Sequence, residues 1–457
     1  MQSARYISTR GGSPETDFAQ ALLRGMAPDG GLYMPREWPA LPPGGTDYAE
    51  IARAVMTPFI GDALPAGALD RAVDRLVDGF DHPEVTPLVE LEPGLHLLEL
   101  FHGPTAAFKD LAMQLAASLA DEALKASGDT LTLVVATSGD TGAAAVRAFA
   151  GAERIRLVVL HPLDRVSPVQ RRQMTTCQAD NVLNLAIRGD FDDCQRLLKQ
   201  LLADEGLRAR GRLSSVNSIN WARLAGQIPY YVAAARRLDA PATFVVPTGN
   251  LGDAFAGIAA RAMGLPMAGM VAAVNANDAL ARAINDGVYA RRPAVETTSV
   301  SMDVQAPSNF ERLVFEASGR DAEVTRHLFE TFARDGQARL DDDLRQAIQS
   351  QIAAVSVDEA ATHDSIARAW TRWGRVVCPH TAVGLEAARR LAPQGPVVVL
   401  STAHASKFPD AVRAAVGFDP EPAPVVAALT DQAERLEVID ADLDQARDRV
   451  SALWETV

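Results

Sequence analysis

Phe101-His-Gly-Pro-Thr-Ala-Ala-Phe-Lys-Asp110 places a single lysine at the start of a predicted helix. Apolar residues recur from this point at helical spacing, at Phe108, Leu111, Leu115 and Leu119. Lys109 therefore falls in the first helical turn, where the positive helix end and apolar neighbours both disfavour an ammonium group. A partly neutral lysine is a nucleophile that can form a Schiff base with an aldehyde. The ordinary alternative is an exposed lysine at a helix start.

Three short apolar runs are each followed by a loop rich in glycine or hydroxyl residues and then by a helical pattern. The runs predict strands at 131–136, 243–246 and 397–400, and the loops are 137–142, 247–253 and 401–404. Each loop can aim backbone N–H groups at an anion on a helix N-terminus. Neither the P-loop motif nor the dinucleotide-binding motif occurs in them. The pattern therefore predicts a site at the carboxyl ends of parallel strands that holds at least two anionic groups and one aldehyde.

Composition narrows the class of protein. The chain has 457 residues, of which 48% are hydrophobic and 22% charged, which indicates a globular protein of two or three domains. The formal net charge of −14 argues against a nucleic-acid partner, because phosphate would be repelled by the protein as a whole. The predicted anion sites must therefore be local pockets.

Three cysteines, Cys177, Cys194 and Cys378, show no C-x-x-C spacing. We interpret them as reduced thiols, and we expect neither a disulfide framework nor a metal site. The first residues lack the apolar core of a signal peptide, and no apolar run approaches the roughly 20 residues of a membrane helix. The expectation is a soluble cytoplasmic protein with no membrane partner.

Strand and helix patterns alternate over most of the chain, which predicts parallel sheets with helices on both faces, an α/β fold. Further strands are predicted at 155–160, 182–187, 270–274 and 376–378, and early helices at 17–25 and 48–59. The expected organisation is a mainly helical N-terminal domain at 1–95, a smaller α/β domain at 96–238, a larger one at 239–425 and a C-terminal helical tail at 426–457.

Several segments together resemble the threonine synthases, which are pyridoxal-phosphate enzymes of the tryptophan-synthase β-subunit fold. They are 101–110, 136–143, 249–253 and 402–404, and the segments 16–21 and 30–35 resemble the longer N-terminal domain of the bacterial and fungal branch. The resemblance spans nearly the whole chain, in order. It implies fold type II, in which two parallel-sheet domains hold the cofactor between them.

The resemblance also implies which residues bind pyridoxal 5′-phosphate. Lys109 would carry it as a Schiff base, Asp140 would lie near its 3′ oxygen, and the hydroxyl of Thr402 would face its pyridine nitrogen. Its phosphate would rest on main-chain N–H groups of Gly249, Asn250, Leu251, Gly252 and Asp253. Leu251 stands where the family usually has phenylalanine. By local sequence alone, the alternatives are an N-cap or turn residue for Asp140 and an ordinary strand-end or N-cap residue for Thr402.

The substrate sites follow from the same resemblance. The carboxylate clamp is implied at Thr137, Ser138, Gly139 and Thr141, and the site for a substrate phosphate at Ser215, Asn217 and Arg223. Arginine suits a tetrahedral dianion because its fork donates two hydrogen bonds at once. The alternative for Arg223 is a structural ion pair with a neighbouring acid. Segments 299–304 and 307–310 also resemble the family, without a role that we can assign, and His102 and His404 either line the pocket or pack, with packing favoured for His102.

The implied reaction converts O-phospho-L-homoserine and water to L-threonine and phosphate, the last step of threonine biosynthesis, with Lys109 as the catalytic residue. It proceeds by γ-elimination of phosphate and β-addition of water, in a monomer or a homodimer. Two alternatives stay open: a phospholyase or serine/threonine dehydratase on the same fold, and a non-catalytic metabolite-binding protein.

Overall fold

Fifteen strands form the sheets of the computed structural model, which describes residues 4–210 and 212–456. In chain order they are β1 (Tyr6–Ser8), β2 (Tyr33–Pro35), β3 (Leu88–Glu92), β4 (Leu95–Glu99), β5 (Leu131–Ala136), β6 (Ile155–Pro162), β7 (Val182–Arg188), β8 (Leu213–Ser215), β9 (Thr243–Pro247), β10 (Gly269–Val274), β11 (Val288–Ala290), β12 (Gln337–Arg339), β13 (Ala353–Ser356), β14 (Val397–Ser401) and β15 (Glu437–Asp440).

Twenty α-helices in the same described ranges surround these strands. They are α1 (Phe18–Arg24), α2 (Tyr48–Ile60), α3 (Ala68–Asp78), α4 (Lys109–Ser127), α5 (Asp140–Phe149), α6 (Pro168–Thr175), α7 (Phe191–Ala203), α8 (Glu205–Arg210), α9 (Trp221–Ala225), α10 (Ile228–Ala235), α11 (Gly252–Ala262), α12 (Ala279–Asp286), α13 (Phe310–Ala317), α14 (Ala322–Asp335), α15 (Asp342–Gln349), α16 (Glu359–Trp373), α17 (Pro379–Leu391), α18 (Pro409–Val416), α19 (Pro424–Ala427) and α20 (Leu443–Thr456). Short 3₁₀ turns occur at Val300–Met302 and Ala405–Lys407.

Two larger sheets define the architecture. The six-stranded sheet has the order β13-β10-β9-β14-β4-β3 and is parallel except for β3, which pairs antiparallel with β4. The five-stranded sheet, β15-β7-β6-β5-β8, is parallel throughout. Strands β9 and β14 are buried along their whole length, which explains their continuous apolar sequences. The α/β fold predicted from the alternating pattern is confirmed.

The three largest apolar cores of the described residues hold the layers together. One lies between the six-stranded sheet and the helices α16 and α17, and another between the five-stranded sheet and the helices α7 and α20. The largest joins α4, α5 and α11 to the N-terminal helices α1–α3. Trp221 at the start of α9 contacts the rings of Tyr6, Trp38 and Phe59, so the N-terminal region is packed against the site-bearing helices. Helices were predicted at 17–25 and 48–59, and α1 and α2 confirm them.

Sheet membership differs from the expected domain ranges at two places. Strand β4 lies almost wholly within the range 96–238, yet it pairs with β14 of the six-stranded sheet. Strand β15 lies within the range 426–457, expected to be a helical tail, yet it extends the five-stranded sheet beside β7. Only Ile439 of β15 is buried, so this edge strand lacks the apolar run by which strands are recognised.

The strand predicted at 376–378 is wrong. These residues are outside any strand and lead directly into α17, where Cys378 is the N-cap and Pro379 the first helical residue. Proline favours the first helical position and restricts the residue before it to an extended backbone, so two valines and a cysteine before it resemble a strand without pairing as one.

Within residues 4–210 and 212–456, no helix has both the length and the apolar character needed to cross a membrane.

Candidate active site

The site is a cleft of about 2240 Å³. Its lining includes the loops that follow β5, β9 and β14, the three loops singled out in the sequence. This volume exceeds the roughly 300–1,000 Å³ of a typical ligand pocket, so a cofactor and a substrate have room together. The predicted residues that line it are Lys109, Thr137, Ser138, Asp140, Thr141, Asn217, Arg223, Gly249, Asn250, Gly252, Asp253 and Thr402.

Three predicted residues lie behind this lining. Leu251 is fully buried at the N-cap of α11 with a left-handed backbone, φ 59°, so its side chain packs into the core. Gly139 packs against Gln170, where a Cβ would clash with the amide group. Ser215 ends β8, and its buried Oγ has no hydrogen-bond partner among the described residues.

Lys109 is fixed at the carboxyl end of β14. Ala107 forms an antiparallel bridge with Ala403, and the N–H of Phe108 donates to the carbonyl of Thr402 at 2.8 Å. Helix α4 then begins at Lys109 itself, and its first turn is supported by Asp110, whose carboxylate accepts from the N–H and hydroxyl of Thr105 at 2.8 and 2.7 Å. The predicted position of the lysine in the first helical turn is confirmed.

The amino group of Lys109 is held in the interior. Its side chain is 13% exposed, and its Nζ lies 3.4 Å from Oδ2 of Asp140 and 4.9 Å from the centre of the Phe108 ring. Burial lowers the pKa of Lys109, and the charges of Lys407 and Arg223 lower it further, while Asp140 opposes the shift. The direction agrees with the prediction from the sequence, although burial and neighbouring cations carry it rather than the helix end alone.

Asp140 is the meeting point of four side chains. Its Oδ1 accepts from Lys407 at 2.8 Å and from Gln170 at 2.9 Å, and its Oδ2 accepts from the hydroxyl of Ser301 at 3.1 Å and faces Lys109. Burial alone would raise its pKa, but the charges of Lys407 and Lys109 hold the pKa of Asp140 well below its usual value. Asp140 is therefore an ionised acceptor, and Gly139, not Asp140, is the N-cap of α5.

The loop after β9 leads into the N-terminus of α11. The N–H of Leu251 donates to the hydroxyl of Thr248 at 3.1 Å, which shapes the turn, and the first N–H groups of a helix lack intrahelical acceptors. A Cβ at Gly249 would lie 2.8 Å from the carbonyl oxygen of Ser301, so the close approach of the 300–302 turn requires glycine. The result is a helix N-terminus on the cleft wall, a position at which N–H groups can bind an anion.

Asp253 lies in the first turn of α11 and is buried. Its Oδ1 accepts from the hydroxyl groups of Tyr230 and Tyr231, and burial raises its pKa to about 6. Thr402 is 4% exposed on the wall of the cleft, at the end of β14.

Arg223 is a buried cation without an acid to pair with. It is 5% exposed, and its Nε and Nη1 find no acceptor in residues 4–210 and 212–456. Burial is the only cause of the shifted pKa of Arg223, with no contribution from an acid, so the alternative of a structural ion pair is not found among the described residues. Burial lowers the pKa of Arg223 to about 10. Buried, unpaired donors on a side chain that lines the cleft are the features expected of an anion site.

Four residues that contact this constellation were missed by the sequence argument. Lys407 and Gln170 contact Asp140, and Ser301 contacts both Asp140 and His380, whose Nε2 accepts from the Ser301 N–H at 3.3 Å. Burial lowers the pKa of His380 to about 4, so it is neutral. For Ser301 a signal existed, since segment 299–304 resembled the family without an assigned role. The structure places the Ser301 hydroxyl against Asp140.

The sequence left open whether His102 and His404 line the pocket or pack, and both pack. His102 hydrogen-bonds Asp81 and Glu99 at 3.2 and 2.9 Å and contacts the rings of His82 and Phe101. His404 caps the 3₁₀ turn at 405–407, where its Nδ1 accepts from the N–H of Ser406. Neither lines the cleft.

Comparison with known proteins shows the same pattern over the whole chain. Family models described as "Threonine synthase N terminus", "Pyridoxal-phosphate dependent enzyme" and "Threonine synthase, C-terminal" match residues 5–76, 80–327 and 381–450. Threonine synthase of Pseudomonas aeruginosa is 40% identical, with 98% of each chain covered. Human threonine synthase-like 2 is 37% identical, covering 92% of this chain and 91% of that one.

Solved structures agree. The pyridoxal-phosphate-bound threonine synthase from Brucella melitensis superimposes with a TM-score of 0.96 at 44% identity and 99% coverage of both chains. Yeast threonine synthase gives 0.94 at 32% identity, with 100% and 99% covered. The fold and the buried lysine thus define a pyridoxal-phosphate-dependent enzyme of fold type II. Within that class, the chain belongs to the threonine synthase family, which confirms the resemblance seen in the sequence and the function that it implied.

The residues of the cleft fit the cofactor of this class. Pyridoxal phosphate needs an amine for its aldehyde, donors for its phosphate and partners for its ring. Lys109 offers the amine, the N-terminus of α11 offers the donors, and Thr402 and Asp140 line the same cleft. The predicted cofactor is confirmed as pyridoxal 5′-phosphate.

Proposed function

We propose that the cleft converts O-phospho-L-homoserine and water into L-threonine and phosphate with the residue roles predicted from the sequence. The observation that carries this proposal is a pair of buried groups in one cleft. Lys109 has a lowered pKa beside the α11 anion site, and Arg223 has unpaired donors that suit a second anion. One anion site suits the cofactor phosphate and the other the substrate phosphate.

Lys109 has two tasks in this proposal. It would hold the cofactor through its Nζ, and its amine, when free, would accept the proton of the substrate's α-carbon. Its lowered pKa favours the neutral form that can accept a proton. When bound, pyridoxal phosphate supplies an electron sink for the negative charge that develops at that carbon.

The substrate is oriented by its two anionic ends. Thr137 shapes the carboxylate loop, because its Oγ1 accepts from the N–H groups of Gly139 and Gly142 at 2.9 Å each. The groups left for the carboxylate include the hydroxyls of Ser138 and Thr141 on the cleft wall. Arg223 binds the leaving phosphate together with Asn217, since both line the cleft. Ser215, whose buried Oγ is unpaired among the described residues, lies behind this lining.

Asp140 acts as a fixed acceptor at the centre of the site. It is ionised and held by Lys407, Gln170 and Ser301, so it can accept a hydrogen bond from the cofactor's 3′ oxygen but has no proton to give at neutral pH. The group that protonates the γ-carbon is therefore a different one.

A phospholyase or dehydratase reaction should also be tested, because some relatives are named threonine synthase-like and not threonine synthase. Human and mouse threonine synthase-like 2 are 37% and 36% identical to this chain, close to the values for the threonine synthases. A phospholyase or dehydratase on the same cleft would use the same lysine but release a 2-oxoacid. The organic product made from O-phospho-L-homoserine separates the two reactions.

Three finer properties stay predictions. The small-molecule partner is O-phospho-L-homoserine, the chain is a monomer or a homodimer, and the compartment is the cytoplasm. Cys177, Cys194 and Cys378 are all free thiols, which supports a reducing compartment.

The test combines a spectrum with a product assay on the purified protein and its Lys109→Ala variant. The wild type should show the absorption band of a lysine Schiff base and release threonine and phosphate in equal amounts, while the variant shows neither. Lys125→Ala, at the far end of α4, is the matched control and should retain both. Turnover by the Lys109→Ala variant would refute the assignment, and 2-oxobutanoate in place of threonine would favour the phospholyase or dehydratase.

A further inference from the structure

Lys407 is a fully buried lysine that the proposed reaction does not use. It ends the 3₁₀ turn after β14 and is 0% exposed. Its Nζ lies 2.8 Å from Oδ1 of Asp140 and donates to the carbonyl of Thr105, also at 2.8 Å. A buried ammonium is costly unless it is paired and hydrogen-bonded, so a lysine at this position requires Asp140 as an anion.

The two oxygens of Asp140 serve two different lysines. Oδ1 receives Lys407 together with the amide of Gln170, whereas Oδ2 receives the hydroxyl of Ser301 and faces Lys109. The contact to Lys407 is 2.8 Å and the contact to Lys109 is 3.4 Å. The carboxylate thus attracts Lys407 more strongly than Lys109, and the nearby positive charge of Lys407 offsets part of its effect on Lys109 by lowering the pKa of that lysine.

We propose that Lys407 is a positioning residue that keeps Asp140 ionised and limits how strongly this carboxylate retains a proton on the nitrogen of Lys109. The proposal rests on the role of Lys109 as the lysine that holds the cofactor. Its chemical consequence is that the nitrogen of Lys109 can release its proton more easily than beside an unshared carboxylate.

Other charged groups face the same space and must be distinguished in any pH measurement. Arg223 adds a positive charge near Lys109, and His380 is neutral there because burial lowers its pKa to about 4. Asp110 feels the charge of Lys407, Asp253 feels that of Lys109, and burial raises the pKa of each to about 6. A readout confined to the nitrogen of Lys109 is therefore needed, and the absorption band of its Schiff base is such a readout.

The experiment is a pH titration of that band in the wild type and in Lys407→Gln, which removes the charge and keeps a donor for the Thr105 carbonyl. Losing the cation removes its repulsion of a proton on Lys109 while Asp140 stays, so the titration midpoint should rise by at least about one pH unit, a tenfold change in proton affinity. Lys125→Gln is the matched control. That lysine pairs with Asp121 at 2.9 Å on the same helix as Lys109 but is 41% exposed, and its midpoint should equal that of the wild type.

An unchanged or lowered midpoint in Lys407→Gln would overturn the proposal, since a merely structural lysine would not move it upward. If that variant does not fold, Lys407→Met removes the same charge from a side chain of similar length. With the cation gone the midpoint should again rise by at least about one unit, and no change would again overturn the proposal. A wild type without the band would refute the assignment of Lys109 and this proposal with it, whereas a band that no variant shifts refutes the role of Lys407 alone.

Discussion

Replacement of Arg223 by alanine removes a buried cation that has no acidic partner among the described residues. If this arginine binds the substrate phosphate, the variant should lose catalytic efficiency without losing stability. Burying an unpaired charge costs free energy, as the lowered pKa of Arg223, about 10, also indicates. The folded protein should therefore be at least as stable without it.

The size of the kinetic effect follows from the donors. Nε and Nη1 are both unpaired, and a hydrogen bond to a charged group contributes about 1.5–3 kcal/mol. Two such bonds amount to about 3–6 kcal/mol, and each 1.4 kcal/mol is about a factor of ten, so kcat/KM should fall roughly 10²- to 10⁴-fold. Arg223→Lys keeps the charge but not the fork, and should lose about 10- to 100-fold.

The assay is phosphate release from O-phospho-L-homoserine, with thermal unfolding measured in parallel. Arg312 is the matched control because it is equally buried but donates to the carbonyls of Tyr33 and Ile219. Arg312→Ala should lower the unfolding temperature, whereas Arg223→Ala should not. Wild-type kcat/KM in Arg223→Ala, or a loss of stability like that of Arg312→Ala, would refute the reasoning.

Two further predictions concern the neighbours of Asp140. Burial lowers the pKa of His380 from 6.5 to about 4, so the unfolded state binds more protons between these values and wild-type stability falls as the pH drops through that window. His380→Gln lacks this penalty and should gain about 2 kcal/mol relative to the wild type between about pH 8 and pH 5 in denaturant unfolding; parallel pH curves would contradict this. Ser301→Ala removes the hydroxyl that donates to Asp140 and should lower kcat/KM about tenfold at unchanged unfolding temperature. Full activity in that variant would show that the contact has no role in turnover.

The strands that were predicted correctly share one property. They are interior strands with a paired neighbour on each side: β5, β6, β7, β9, β10 and β14. Burial on both faces gives such strands a continuous apolar run that can be recognised locally. β15 and β12 each bury a single residue, and β3 at the edge buries none, so their sequences carry no such run. Residues 376–378 are the reverse case, an apolar run that a following proline directs into a helix.

The site residues could be predicted where they directly follow a predicted strand. The loops after β5, β9 and β14 carry glycine and hydroxyl residues directly after apolar runs, and parallel strands bring such loops together. Lys407 and His380 have no comparable signal, and Ser301 has only the resemblance of segment 299–304, because only the tertiary fold brings residues 301, 380 and 407 to Asp140 or to one another. Leu251 is the opposite case, a residue of a recognisable loop that does not line the cleft. Its left-handed backbone turns its side chain into the core.

The position of β15 has a consequence for how the protein is made. Residues 437–440 pair with β7, which is about 250 positions earlier, and α20 packs against α7 of the same unit. During synthesis, β7 therefore lacks its partner β15 and lies at an unpaired edge of the sheet until residues 437–440 have left the ribosome. Unpaired strand edges tend to pair with other chains. Products that terminate shortly before residue 437 should therefore aggregate, even though they contain every residue of the cleft.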